Sequence, residues 1–227
     1  MFKFLKNYKA ISIIFVLMFM VSCLYFNIVK LVSSRANGIC IVLDAGHGGR
    51  DGGCVGVNGS VEKDLNLKYT LKLKDKLVAY GYKVVLTRGD DCGLYDPFAD
   101  NKKISDMNAR MGIIKMANPN LVVSIHMNSF ADTSVGGANC FYKIDDDASI
   151  SCANLIQSAI KKHCSVLSEK AKKGDYFMLN CSYYTSVLIE CGFLSNIEEE
   201  KKLNSNEYLE KFTDAVAEGI LLYFGWK

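Results

Sequence analysis

Proline is scarce in this 227-residue chain, with only Pro97 and Pro119, so no rigid linker divides it. Its nine cysteines include no C-x-x-C pair, which excludes a zinc ribbon and a thioredoxin-type motif. Internal repeats and low-complexity tracts are absent too. The segment Gly46-x-Gly48-x-x-Asp51 imitates a dinucleotide fingerprint but carries Asp51 where the third glycine belongs, and no P-loop lysine is present after it. A basic face is also lacking. Five of the 27 Lys and Arg residues lie in residues 1–36, which hold no acid, so the remainder carries a net −2 against 24 acids. That balance does not attract a nucleic-acid backbone.

The chain does open with an apolar run. Ala10 to Val29 holds no charge, a length of about 20 residues that matches a bilayer core. Lys3, Lys6 and Lys9 precede it, so the positive-inside bias keeps the N-terminus in the cytoplasm and exports the chain beyond Arg35. An uncleaved signal anchor suits this length best. A signal peptide cut near Ser34-Arg35-Ala36 and a loose lipobox at Met20-Val21-Ser22-Cys23 are the alternatives. The expected division is residues 1–36 as signal anchor or signal peptide and residues 37–227 as one folded domain, and the 50% hydrophobic content of the whole chain supports a packed core.

Within that domain, short β-branched runs alternate with helical patterns. Strands are expected at Cys40–Asp44, Lys83–Thr87, Leu121–His126, Ala138–Tyr142, Tyr176–Leu179 and Val187–Cys191. Helices are expected from a Ser60 cap to Tyr80, over Ser105–Ala117, from an Asp147 cap to His163, and over Tyr208–Phe224. This alternation predicts a single α/β domain, its mostly parallel twisted sheet flanked by helices. Cys40, Cys140 and Cys191 fall in or beside apolar strands, where a reduced cysteine acts as a small buried hydrophobe. Whether any pair of cysteines bridges stays open.

Four polar residues fall where such a fold puts its chemistry, at the carboxyl ends of strands. His47 comes just after the first strand, His126 ends the third, Glu190 ends the last, and Glu62 opens the first helix. Singly, each has a plain explanation. His47 could simply serve a tight turn, His126 could be a satisfied core histidine, and Glu62 could be a first-turn acid favoured by the helix dipole. Glu190 tells most alone, because an acid beside Val187-Leu188-Ile189 is costly unless partnered or tasked. Together they fit a tripod of His47, Glu62 and His126 for one Zn²⁺, with Glu190 as general base and acid. His163 sits in a lysine-rich helical surface and reads as solvated.

These blocks also resemble the zinc-dependent amidase family that cleaves N-acetylmuramoyl-L-alanine bonds. The resemblance spans about Cys40 to Phe224. It rests on Asp44-Ala45-Gly46-His47-Gly48-Gly49, Glu62-Lys63-Asp64-Leu65-Asn66-Leu67, Ser124-Ile125-His126-Met127-Asn128-Ser129 and Leu188-Ile189-Glu190-Cys191-Gly192-Phe193. It implies zinc at His47, Glu62 and His126, catalysis by Glu190, a substrate-binding role for Asn128, and peptidoglycan as substrate. The loop Gly93-Leu94-Tyr95-Asp96 and the segment Gly137–Tyr142 resemble the CwlD-type amidases of endospore formers. That likeness implies preparation of muramic δ-lactam in spore cortex, the mark read at germination, and a lipoprotein partner needed for activity in clostridial relatives. Ala45 and Ser186 stand where many relatives have proline.

Overall fold

The computed structural model describes residues 14–22, 38–180 and 183–226. Residues 14–22 are helical with exposed side chains. The rest of the expected anchor, residues 1–13 and 23–36, lies outside the described residues. Among the described residues no helix is long and apolar enough to cross a membrane.

Six strands form one sheet: β1 (Cys40–Ala45), β2 (Lys83–Leu86), β3 (Leu121–Asn128), β4 (Asn139–Tyr142), β5 (Lys172–Lys173) and β6 (Ser186–Phe193), in spatial order β2-β1-β3-β6-β4-β5. The first four in that order run parallel, while β4 pairs antiparallel with β6. The helices are α1 (Glu62–Ala79), α2 (Lys102–Ala117), α3 (Asp147–His163), α4 (Phe177–Asn180), α5 (Ile197–Asn204) and α6 (Asn206–Tyr223).

Strand alternation divides the core in two. On one face Ile41, Leu43, Leu121, Val123, Val187 and Ile189 pack against α1, α3 and α6. On the other, Val42 and Val122 meet Met111 and Ile114 of α2 and Met178 of α4. Both faces are covered, which is why β1 and β6 are buried along their whole lengths. The period of two also puts Asp44, Ser124, His126 and Glu190 on the face toward α2 and α4. Their registers are Asp44 opposite Ser124 and His126 opposite Glu190.

Local differences from expectation have identifiable causes. Tyr176–Leu179 is not a strand; the chain turns into α4, with Asn180 N–H donating to the Tyr176 carbonyl at 3.1 Å. Ser60 does not cap α1. Val61 holds that position with no side-chain bond, and the Ser60 N–H is taken instead by Glu200 at 3.0 Å. Capped by Asn101, α2 begins three residues before its expected start, and Asp146 rather than Asp147 caps α3. Helix α5 and the two-residue β5 are additions. The cysteines behave as expected where they are described: Cys40, Cys140, Cys152 and Cys191 are buried and free.

Candidate metal centre

The loop after β1 is the first component. His47 adopts φ 62°, a left-handed conformation that costs a non-glycine residue of order 1 kcal/mol. It is bracketed by Gly46 and Gly48-Gly49, and two buried arginines hold the carbonyls around it. Arg88 donates to Ala45 and Gly46, each at 2.9 Å. Arg110 donates to Ala45 at 2.8 Å and to His47 at 2.6 Å. Arg110 also pairs with Asp44 at 2.6 Å, both side chains being only 1% exposed. Burial alone would raise the Asp44 pKa, but Arg110, Ser124 and Thr87 outweigh it and hold the carboxyl below its usual range.

Glu62, at the start of α1, receives both imidazoles. Its Oε1 lies 3.2 Å from His47 Nε2 and 3.0 Å from His126 Nδ1. Its Oε2 accepts the Cys54 N–H at 2.9 Å, and Asn66, one helical turn on, donates to Oε1 at 3.2 Å. Burial works to raise the Glu62 pKa, yet His126 and His47 prevail and drive it far below the ordinary carboxylate value. The His47 pKa moves up, because Glu62 and then Asp51 overcome the opposing effect of burial. Asp51 Oδ1 is 2.9 Å from His47 Nδ1, an ion-pair contact off the line of a hydrogen bond.

Donor atoms from His47, Glu62 and His126 all lie within 4.8 Å of one another. Gly46 makes this approach possible. A β-carbon there would fall 2.2 Å from His126 Cε1 and 2.3 Å from Nε2. Two imidazoles and a carboxylate so arranged fit Zn²⁺, which takes nitrogen and oxygen ligands at about 2.0–2.2 Å.

Glu190 stands on β6 in register with His126 of β3. It is 7% exposed, and its Oε2 has no hydrogen-bond partner among the described residues. An orphaned buried oxygen costs about 1–3 kcal/mol, a cost more often met at functional sites than in structural cores. Burial pushes the Glu190 carboxyl up to about 7, with the Glu62 charge adding and the His126 and His47 charges opposing. A cavity of about 190 Å³ opens over the cluster, walled by His47, His126, Asp51, Met107, Tyr176 and Met178.

Of the residues singled out from the sequence, His47, Glu62, His126 and Glu190 come together. Asn128 ends β3 with its Oδ1 accepting the Ser129 N–H at 2.8 Å, and it does not line that cavity. His163 is on the surface, 3.1 Å from Glu218. Sequence reasoning passed over Asp44, although it shares the signature of Glu190, an acid closing a buried apolar strand. Asp51 and Asn66 carry no comparable mark.

An α/β sheet with two imidazoles, a carboxylate and a second buried acid at its carboxyl rim has the donor set of a metal-dependent hydrolase. The family model described as N-acetylmuramoyl-L-alanine amidase matches residues 41–221, and the chain belongs to that family. It is 34% identical over 193 residues to the germination-specific N-acetylmuramoyl-L-alanine amidase of Bacillus subtilis, covering 83% of this chain and 81% of that one. Among solved structures it is similar to the CwlD amidase of Clostridioides difficile, determined in complex with the GerS lipoprotein. The TM-score is 0.76 at 36% identity, over 84% of this chain and all of that one. The catalytic domain of CwlV, an amidase from Bacillus (Paenibacillus) polymyxa, superposes with TM-score 0.71 at 28% identity, over 83% of this chain and 99% of that one.

Proposed function

We propose that this amidase is zinc-dependent, with His47, Glu62 and His126 holding one Zn²⁺ per chain and Glu190 as general base and acid. The convergence of three donor side chains beside a buried acid with an unpaired oxygen carries the reading. Zinc on such a tripod polarises a carbonyl and lowers the pKa of water toward about 7. Glu190, with its carboxyl pushed up to about 7, is suited both to accept and to donate a proton near neutrality. It takes a proton from the water that adds to the lactyl carbonyl of muramic acid. It then delivers that proton to the L-alanine nitrogen as the C–N bond breaks. The products are a muramoyl carboxylate and a stem peptide with a free N-terminal alanine. Asn128, at the end of β3, is assigned to the substrate side.

Residues 1–36 are proposed as the export signal or anchor and residues 37–227 as the catalytic domain on the outer side of the membrane. The kinship with the germination-specific amidase supports a role in preparing muramic δ-lactam in spore cortex. The complex of the Clostridioides difficile relative with a lipoprotein supports a lipoprotein partner here too.

The test is release of stem peptides from denuded peptidoglycan. Glu190→Gln is expected to lower the rate by about 10²–10⁴ while zinc remains bound. Near-normal release by that variant would remove Glu190 from the mechanism, and stoichiometric zinc surviving loss of both His47 and His126 would remove the ligand set. Peptides lacking an N-terminal alanine would instead indicate a carboxypeptidase.

A further inference from the structure

A second cavity, of about 290 Å³, adjoins the one above the metal centre, and Asp51, Lys103 and Met107 line both. Its own wall is cationic. Arg50 comes directly after the His47 loop, Lys102 and Lys103 open α2, and Lys102 Nζ stands 5.9 Å from the Tyr95 ring centroid. Two acids share the lining, but both are committed. Asp51 faces His47 and also feels the Lys103 charge. Asp106 pairs with Arg110 Nε at 2.7 Å and accepts the Leu94 N–H at 2.6 Å. Arg50, Lys102 and Lys103 enter no ion-pair contact among the described residues. The first turn of α2 also contains no acid, so its two lysines sit at the positive end of the helix dipole uncompensated.

Three cations outside any ion-pair contact, around a cavity that continues into the reaction site, call for an anionic part of the substrate. Peptidoglycan stem peptides supply one. The residue after the alanine is an acidic amino acid linked through its side-chain carboxyl, so its α-carboxylate is free. That group lies at most two residues, about 7 Å of chain, from the nitrogen of the cleaved bond. We propose that Arg50, Lys102 and Lys103 form the subsite for this α-carboxylate, making the enzyme selective for stems in which it is free over stems in which it is amidated. The subsite rests on the amidase reading above and names what that site selects. Charge-assisted bonds to guanidinium and ammonium groups reward the carboxylate, whereas a carboxamide brings no charge to the cavity.

The test uses the full-length chain with one equivalent of Zn²⁺ and two soluble muramoyl peptides that differ only in that α-carboxylate or α-carboxamide. The wild type is expected to show a kcat/KM ratio of about tenfold or more in favour of the carboxylate. Arg50→Ala and Lys103→Ala should each reduce the ratio toward one, and Lys103→Glu should invert it. Both side chains are exposed, so these variants fold. A wild-type ratio near one, or a ratio that survives all three substitutions, overturns the subsite and leaves the amidase assignment standing. Hydrolysis of neither peptide, with the lipoprotein partner present as well as without it, overturns the subsite together with the amidase activity on which it rests.

Discussion

Gly46→Ala separates the metal centre from the fold that carries it. The added methyl would sit 2.2–2.7 Å from three atoms of the His126 ring, far inside contact distance. Gly46 is not in the left-handed region, so alanine suits the backbone there. The three nearest atoms belong to one side chain in a partly open cavity, so the ring is expected to turn aside without moving a strand. Overpacking of this kind costs about 1–3 kcal/mol, partly offset by about 0.4–1 kcal/mol from the stiffer unfolded chain. Net stability should therefore fall by no more than about 2.6 kcal/mol. Zinc affinity should fall much further. Disturbing groups that merely orient a ligand costs about 10–100-fold, and here the proposed ligand itself is displaced from its 3.0 Å contact with Glu62, so a loss of at least about 100-fold is expected. Chelator-competition titration gives the affinity, and urea unfolding of the metal-free chain gives the stability. Zinc affinity within about threefold of wild type would refute the claim that Gly46 exists to admit His126.

Arg110→Met leaves Asp44 buried without its cation and frees the carbonyls of Ala45 and His47; it should cost about 3–5 kcal/mol by urea unfolding. The depressed Asp44 pKa has a definite sign in pH. Its contribution is present above the unfolded value of about 3.9 and is lost as pH falls through the lower folded value, so the wild-type urea midpoint should drop more steeply below about pH 4 than that of Asp44→Asn. Glu200→Ala removes a carboxylate that accepts from the Asn58 and Ser60 backbones at 2.7 and 3.0 Å. Hydrogen exchange should rise over residues 56–61, with a stability loss of about 2 kcal/mol, and protection unchanged there would count against the clamp.

The sheet was largely legible because β1, β3 and β6 are short apolar runs whose ends carry the only acids and imidazoles in them. Periodicity could not reveal that β4 runs antiparallel to β6, since alternation is the same in either direction. Helix α5, Ile-Glu-Glu-Glu-Lys-Lys-Leu-Asn, hid for another reason. It has almost no apolar face, and it stands on the Asn196 cap and on buried Glu199 and Glu200 reaching across to neighbouring loops. The four side chains proposed to act were readable as unusual residues in unusual places. The network that orients them was not, because Arg88, Arg110 and Asn66 act through contacts distant in sequence.

The strand order has a consequence in time. His47 hangs from the first strand of the domain, His126 from the third and Glu190 from the sixth, and the three strands lie side by side only when the last has been inserted between β3 and β4. On the proposed assignment, an emerging chain therefore carries no complete centre until the strand bearing Glu190 is in place, so completion of the sheet itself serves as the safety catch.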